Sequence, residues 1–419
     1  MLRKPYYGWW IVLGAILCNF ASLSVGQSVV GVFTQPVTES LGWKVWQYTL
    51  GPSIAVGTGA LSSVVVGQVL DTRGPRPLIF IGSIVSAVCL FLLGTQSSLI
   101  VFIPIYLIAG IGGWNLFSSF VVNSAVNKWF VRKRGWALAL GSAGISLGSL
   151  ITPLVLTGVV DNYGWRTGYF TLSLFVLLVV FPIGILMRRS PEDYGLLPDG
   201  VKEGQTHNLE DLPVSELSPL NRSQAIRTRS FWLLVFGFAL ISSGLMSVLI
   251  HAIPFSQGAG FARTTGAIGL SVNGLANLSS KAVWGFGLQR FHPRILVIVA
   301  YSISATGVLF MLIAGSYTLV SPLLVGFFLY GFGFGGTIPL SESLWARYFG
   351  RAHIGSIRGV SHPVTILGSA LAPVLVGVSF DLTQTYRPAF VVIMFIFLLG
   401  AALVYSSREP FVPDLASSS

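Results

Sequence analysis

Long apolar runs dominate this sequence and decide which folds it can form. An α-helix needs about 20 mostly apolar residues to cross the hydrocarbon core of a bilayer. Only 9% of the 419 residues are charged, against about 25% in soluble domains, so a soluble fold could not cover its surface. The sequence therefore predicts an all-α membrane protein with twelve spans, at 8–31, 45–70, 77–95, 99–124, 134–157, 168–187, 231–255, 265–288, 294–314, 318–344, 355–377 and 388–405.

The basic residues between the spans predict the orientation of the chain. With the N-terminus in the cytoplasm, 20 of the 25 Lys and Arg residues fall in cytoplasmic segments, and four fall on the opposite side. Cytoplasmic loops of membrane proteins carry such an excess of bases, so we predict that both termini are cytoplasmic. The same placement explains the net charge of +11 without a nucleic-acid partner.

The chain also repeats itself at a separation of 218 to 220 residues. The repeat predicts two six-helix halves, 1–187 and 230–419, joined by a polar cytoplasmic linker, 188–229. Transporters built from such parallel repeats bind substrate between the halves, near the middle of the membrane. The matching pairs are Gly67 with Gly285, Pro75 with Pro293, Arg76 with Arg294, Trp129-Phe130 with Tyr348-Phe349, Leu147-Gly148-Ser149 with Leu367-Gly368-Ser369, and Asp161 with Asp381.

The segment 67–76, GQVLDTRGPR, lies between the second and third predicted spans. It resembles the signature loop of the major facilitator superfamily in the spacing of its glycines, its acid and its final base. Asp71 of such a loop can lie against a helix N-terminus, where negative charge is favoured. The resemblance implies a conformational latch formed by Gly67, Asp71, Arg73, Gly74 and Arg76.

In the second half, Gln289 and His292 stand at the positions of Asp71 and Gly74. A neutral amide cannot replace the charge of the carboxylate, and histidine does not share the conformational freedom of glycine. We therefore expect a weaker latch in the second half.

Other motifs resemble the bacterial branch of that superfamily near the monocarboxylate transporters and the oxalate/formate antiporters. The resemblance covers nearly the whole chain and implies the twelve-helix major facilitator fold, in two six-helix pseudo-repeats, in a bacterial inner membrane. It implies small organic anions as substrates, moved by proton symport or anion exchange. We expect a monomer without cofactor or metal. The motifs are Tyr7-Gly8-Trp9-Trp10, Trp129–Gly135, the glycines Gly141, Gly144 and Gly148, Gly164-Trp165-Arg166, and Ser190–Leu196.

Lys281 is the one base that falls inside a predicted span. A charge there costs roughly 3 kcal/mol on insertion scales, so it needs a reason. Asn273, Asn277 and Lys281 are spaced four residues apart and share one helix face. The related transporters carry an arginine near this place that pairs with the substrate carboxylate, so the resemblance implies that role for Lys281. The alternative is snorkelling, in which the side chain extends toward the cytoplasm.

His362 and several polar residues in other spans are further candidates for the site. The resemblance places a second cation of the oxalate exchanger near His362, although this histidine could instead mark a structural kink beside Pro363. Helices 1, 4, 7 and 10 line the cavity in this fold, and interhelical hydrogen bonding is the open alternative for each residue. The polar residues are Asn19 and Gln27 in helix 1, Asn115, Ser119 and Asn123 in helix 4, and Ser243, Ser247 and His251 in helix 7.

Enzymatic activity is not predicted, because the sequence lacks nucleotide-binding, zinc-protease and serine-hydrolase motifs.

The run from Gly331 to Gly336 lies in a span and indicates close helix packing. Glu342 lies near the cytoplasmic end of its span, and we interpret it as a structural partner of Arg347 or Arg358. The leading hypothesis is a secondary carrier of small organic anions. The alternatives are a facilitator-type exporter of amphipathic compounds and a transport-inactive membrane sensor.

Overall fold

The computed structural model describes residues 6–200 and 220–410, without the side chains of 27–31, 35, 45, 46, 154, 263 and 267. These residues form helices joined by short turns, and no strand occurs among them. The helices in the first part of the chain are α1 Gly8–Leu41, α2 Val45–Arg73, α3 Pro75–Thr95, α4 Leu99–Gly112, α5 Ser119–Trp129, α6 Arg134–Phe175 and α7 Phe181–Leu186. The helices in the second part are α8 Arg222–Ile226, α9 Arg229–Gly258, α10 Arg263–Arg290, α11 Pro293–Tyr317, α12 Val320–Phe334, α13 Thr337–Phe349, α14 Ile354–Thr383 and α15 Arg387–Ser406.

Eleven stretches of the described chain are long and apolar enough to cross a membrane. The one predicted span that is not among these eleven stretches, 265–288, is α10, which is a continuous helix of 28 residues. Its composition is more polar than that of the other spans, because it carries the Asn273, Asn277 and Lys281 stripe. With α10 included, the predicted twelve-helix fold is confirmed.

Two spans contain a local break, and a third break divides one long helix into two spans. A 3-10 turn, Trp114–Phe117, separates α4 from α5, and a turn at Gly335 and Gly336 separates α12 from α13. In α6 the break is Gly164, whose φ of 81° is left-handed. Residues with a Cβ rarely adopt this φ, so Gly164 divides the fifth predicted span from the sixth.

Contacts between residues divide the chain into two compact units. Unit 1 comprises Met1–Gln205 together with Arg358–Pro363, a short part of α14. Unit 2 comprises Thr206–Ile357 and Val364–Ser419. The predicted boundaries at 1–187, 188–229 and 230–419 stay a prediction, since residues 201–219 of the linker lie outside the described residues.

Glycines let helices approach closely within each unit. In unit 1, a Cβ added to Gly148 would lie 2.9 Å from the carbonyl oxygen of Phe20 on α1. In unit 2, Gly331 packs on Asn273 and Gly335 packs on the Asn277 carbonyl, both on α10. Small residues have this function in membrane helices. The glycine run of α12 therefore serves helix packing, as the sequence analysis interpreted it.

Candidate substrate-binding site and latch

Lys281 lies in unit 2, on α10, and only 7% of its surface is exposed. Asn273, on the same face, is 5% exposed, and its side-chain oxygen accepts no hydrogen bond from the described residues. Ser280 is fully buried and donates a hydrogen bond to the Asn277 carbonyl at 3.0 Å. Two residues of this polar face, Asn273 and Lys281, are therefore buried, whereas Asn277 is half-buried. The burial of Lys281 does not fit snorkelling, because a snorkelling ammonium extends toward water, and its role in substrate binding stays a prediction.

Helix α9 contributes one further candidate to unit 2 and one structural histidine. Ser247 is 1% exposed, and its hydroxyl has no hydrogen-bond partner in the described part of the chain. His251 Nε2 donates to the Pro373 carbonyl at 3.0 Å, and its ring lies 5.4 Å from that of Tyr386. His251 therefore connects α9 to α14, whereas Ser247 retains hydrogen-bonding capacity for a ligand.

The candidate asparagines of unit 1 differ in how their side chains are used. Asn19 Nδ2 donates to the Gly141 carbonyl at 3.0 Å, and Asn19 Oδ1 accepts a hydrogen bond from Ser119 at 2.7 Å. Asn115 Nδ2 donates to the Gly59 carbonyl at 2.8 Å. These bonds fit the alternative of interhelical hydrogen bonding, and a substrate role for Asn19 and Asn115 stays a prediction. The side chain of Gln27 lies outside the described residues.

His362 belongs to the short part of α14 that lies in unit 1. Its ring stacks on Phe120, with ring centroids 5.2 Å apart and planes at 26°. Its Nδ1 atom is buried and has no hydrogen-bond partner among the residues described. Nearby, Ser63 donates to the Gly359 carbonyl at 3.2 Å, and Arg358 donates to Ser361 at 2.8 Å. His362 thus retains an unused ring nitrogen, as a ligand contact or proton-linked group requires.

Asp71 of the signature loop forms a buried ion pair. Its Oδ1 lies 3.0 Å from Nζ of Lys128, in the last turn of α5, and both side chains are 7% exposed. Gly74 follows with a φ of 79°. A Cβ on Gly74 would lie 2.6 Å from the Cβ of Arg189, so glycine is required both by the turn and by the close approach. The contact of Asp71 with a helix N-terminus stays a prediction.

The other latch residues lie around this ion pair. Gly67 is buried in α2, whereas Arg73 and Arg76 are exposed. The Arg76 guanidinium lies 5.8 Å from the centre of the Phe80 ring. Arg189 donates to the Thr72 carbonyl at 2.9 Å and to Asp193 at 2.7 Å. The loop is therefore held from one side by α5 and from the other by the segment after α7.

A carboxylate does bind a helix N-terminus nearby, but it belongs to Asp199. One oxygen of Asp199 accepts hydrogen bonds from the backbone N–H groups of Val131 at 3.0 Å and Arg132 at 2.8 Å. The other oxygen accepts from Lys133 at 3.0 Å, directly before α6 begins. Negative charge is stabilised at this position by the helix dipole and the unpaired N–H groups.

Three of the sequence motifs meet in an aromatic cluster at the same end of unit 1. The Arg188 guanidinium lies between the rings of Tyr7 and Tyr194, 4.0 Å and 4.1 Å from their centres. Trp129 Nε1 donates to the Arg188 carbonyl at 3.2 Å, and Tyr6 donates to the Trp129 carbonyl at 3.0 Å. The motifs near residues 7, 129 and 194 therefore form one structural assembly that fixes the segment after α7.

Unit 2 has a different ion-pair cluster at the corresponding helix ends. Glu409 Oε1 lies 2.6 Å from Arg347 Nε, in the last turn of α13, and 3.1 Å from His292 Nε2. The hydrogen bonds from His292 and then Arg347 lower the pKa of the Glu409 carboxyl to about 2, while burial acts in the opposite direction. Unit 2 has Gln289 at the position of Asp71, but the segment after α15 supplies an acid, Glu409, to the same helix ends. The expectation of a weaker latch in the second half stays a prediction.

The sequence analysis missed Lys128, Asp199 and Glu409. For Lys128 a signal existed, because Lys128 and Arg347 are 219 residues apart, the same separation as the neighbouring Trp129 and Tyr348. Asp199 and Glu409 lie outside the spans, and no repeat marks them as partners of a helix end.

Comparisons with known proteins agree with this architecture. The sequence profile of the Major Facilitator Superfamily matches residues 12–364. The chain is 26% identical over 352 residues to the oxalate:formate antiporter of Oxalobacter formigenes, covering 82% of this chain and 78% of that protein. It is 25% identical over 403 residues to monocarboxylate transporter 13 of Bos taurus, covering 95% of this chain and 88% of that protein.

Two solved structures share the fold at lower identity. The proton:xylose symporter XylE superposes with a TM-score of 0.76 at 14% identity, covering 96% of each chain. The human organic anion transporter MFSD10 superposes with a TM-score of 0.69 at 16% identity, covering 96% of this chain and all of that one. The fold, the signature loop and the profile match lead to one assignment: the chain belongs to the Major Facilitator Superfamily of membrane transporters.

Proposed function

We propose that this transporter carries small organic anions, of the monocarboxylate type, by alternating access. The observation that carries the proposal is the burial of Lys281 on the polar face of α10. A hydrogen bond between a charged donor and a carboxylate contributes about 1.5–3 kcal/mol, which corresponds to roughly a 10- to 150-fold gain in affinity. Asn273 and Asn277 would bind the remaining lone pairs of the same anion.

The named substrates of the relatives support an anion as cargo. The matched proteins include an oxalate:formate antiporter and monocarboxylate transporters, and each of these names describes a carboxylate. The mechanism in this chain is either proton symport or anion exchange. Ser247 and His362 have unused hydrogen-bonding atoms, so we include them as further contacts for the substrate or the proton.

Asp71 and its neighbours are proposed to form a conformational latch rather than a substrate contact. The Asp71–Lys128 pair connects the end of α2 to the end of α5 inside unit 1, so it would hold this end of the half together while the two halves rearrange during alternating access. We propose further that the protein lies in the inner membrane of a bacterium with both termini in the cytoplasm.

Uptake into proteoliposomes tests the proposed function. Purified protein would be reconstituted and supplied with labelled lactate, pyruvate, formate, oxalate and malate, with and without a pH gradient. We expect saturable uptake of at least one carboxylate, driven either by the pH gradient or by a carboxylate loaded inside. Absence of carboxylate uptake, with efflux of amphipathic compounds instead, would favour the exporter. A correctly folded protein that moves neither class would favour the sensor.

A further inference from the structure

A cavity of about 680 Å³ opens in unit 2 where the starts of α9 and α11 meet the end of α15. Its described lining includes three arginines and no acidic residue. Arg229 and Arg408 are exposed, so their guanidinium groups are accessible to a ligand. The residues that line it include Arg229, Ser230, Arg294, Tyr405, Ser406 and Arg408.

Contacts within the cavity hold its wall in a defined arrangement. The Arg294 guanidinium lies 5.0 Å from the centre of the Tyr405 ring and donates to the Ser407 carbonyl at 2.9 Å. Its Nε is buried and has no hydrogen-bond partner in the described part of the chain. Ser230 donates to the Arg408 carbonyl at 2.5 Å, which fixes this arginine beside α9. The cavity therefore combines three positive charges within a wall that is held by hydrogen bonds and a cation–π contact.

Guanidinium groups arranged in this way suit a phosphate group. Arginine presents planar, paired N–H donors that match the oxygens of a phosphate. Glu409 follows Arg408 in the chain, but its carboxylate is bonded to Arg347 and His292. Its negative charge is therefore balanced by these two residues, and Glu409 is not among the residues that line the cavity.

The surface beside the cavity indicates that the phosphate belongs to a lipid. Trp232 and Phe236 on α9 are 41% and 52% exposed, and their rings stack 5.8 Å apart. Tyr405 in the cavity wall is 50% exposed. Exposed Trp and Tyr side chains in membrane proteins lie at the level of the headgroups, and basic pockets between helices bind anionic headgroups. We propose that this cavity binds the phosphate headgroup of an anionic phospholipid, whose chains lie along Phe236.

Lipid binding to the purified full-length protein tests the proposal. The delipidated protein in detergent would be titrated with phosphatidylglycerol and, separately, with phosphatidylcholine, and bound lipid would be counted by native mass spectrometry. We expect the native protein to prefer phosphatidylglycerol. Arg229→Gln and Arg408→Gln should each weaken its binding about fivefold, because one base near a membrane surface contributes about 1 kcal/mol to lipid attraction. Arg227→Gln, which removes an exposed charge two residues before Arg229, is the matched control and should bind as the native protein does.

Two further arms decide between the remaining outcomes. Excess inorganic phosphate should not displace the lipid; complete displacement would identify a site for a soluble anion and overturn the lipid assignment. Equal binding by all three variants, or an equal loss in Arg227→Gln, would also overturn it. If a charge variant fails to fold, Ser406→Trp keeps all three arginines and places an indole ring in the cavity, where it obstructs a headgroup. This variant should lose phosphatidylglycerol, and unchanged binding by it would exclude the cavity as the site.

Discussion

The two units solve the same structural problem with different ion pairs. In unit 1, the base at the end of α5 is Lys128, and its acid, Asp71, comes from the signature loop; both side chains are 7% exposed. In unit 2, the base at the end of α13 is Arg347, and its acid, Glu409, comes from the segment after α15; these side chains are 38% and 34% exposed. The repeat preserves the position of the base but not the source of the acid.

This difference in exposure predicts that the two ion pairs contribute differently to the stability of the folded protein. Removal of one partner from a buried pair leaves an uncompensated charge in a poorly solvated place. A pair that is a third exposed is screened by water and salt. The stability of unit 1 should therefore depend strongly on the Asp71–Lys128 pair. The stability of unit 2 should depend only weakly on each bond of the Glu409 cluster. The variants below test this contrast, from the largest expected effect to the smallest.

Asp71→Asn should have the largest effect, since it leaves the Lys128 ammonium buried beside a neutral amide. We expect a loss of about 3 kcal/mol in the stability of the folded protein and slower transport. The order of preference among substrates should not change, because the latch does not contact the substrate. Thermal unfolding in detergent and uptake rates over the substrate panel measure both effects. A changed substrate preference would contradict the assignment of Asp71 to a latch.

The double variant Asp71→Asn, Lys128→Gln provides the matched control for that experiment. It removes both charges, so the uncompensated ammonium is absent and much of the lost stability should return. If the double variant is as unstable as the sum of the single variants, the two side chains act independently and the ion pair is not the stabilising unit.

Glu409→Gln should have a smaller effect although it breaks two bonds at once. The loss should be clearly smaller than that of Asp71→Asn, because the pair is about a third exposed and is screened by solvent. Thermal unfolding of this variant beside Asp71→Asn gives the comparison directly. If Glu409→Gln costs as much as Asp71→Asn, exposure does not explain the difference between the units.

The Glu409 cluster should also respond to acid. The pKa of its carboxyl is about 2 in the folded protein, below the ordinary value of about 4.3 for glutamate. A carboxyl with a lowered pKa contributes stability above its unfolded pKa and loses it as the pH falls toward the folded value. The stability difference between the native protein and Glu409→Gln should therefore be constant near neutral pH and shrink between about pH 4.3 and about pH 2. A difference that grows on acidification would have the wrong sign.

Single cysteine substitutions should disturb the protein least. They test on which side of the membrane the Asp71–Lys128 pair and the Glu409 cluster lie. Cysteines at Arg132 in unit 1 and His353 in unit 2 should be protected from an impermeant maleimide in intact cells. Cysteines at Arg166 and Arg387 should be labelled, because the excess of bases predicts that they face outward. The reverse pattern would overturn the orientation, and a mixed pattern at 132 and 353 would place the clusters on opposite sides. Background labelling should be low because the natural cysteines are buried: Cys18 and Cys89.

The sequence predicted the spans because a bilayer imposes a length and a composition on each helix. The same criterion of length and apolar composition also predicted α10, although it is more polar than the eleven apolar stretches. The resemblance included Gly74 in the signature loop, and its φ of 79° shows why this position of the loop needs a glycine. The glycines of α12 were read as packing residues, and their contacts with α10 confirm this.

The long-range partners could not be predicted in the same way. Glu409 binds Arg347 across 62 residues of chain, and Asp199 binds the start of α6 across 67 residues. Neither acid lies in a span or a repeat, so no local pattern selects its partner. Helical spacing likewise predicts that Asn19 and Gln27 share one face of the first span. It cannot show that the Asn19 side chain is already hydrogen-bonded to Gly141 and Ser119. The pairing of polar atoms is settled by tertiary packing.

The central claim is that Lys281 binds the carboxylate of the substrate, and binding to a Lys281→Gln variant tests it most directly. The affinity of the native protein, of Lys281→Gln and of Lys281→Arg for the best substrate of the uptake panel would be measured by calorimetry in detergent. Thermal unfolding would confirm that each variant is folded. We predict that Lys281→Gln weakens binding by roughly 10- to 150-fold, whereas Lys281→Arg retains part of the affinity because it keeps the charge. If folded Lys281→Gln binds and transports the anion as the native protein does, Lys281 is not the substrate contact.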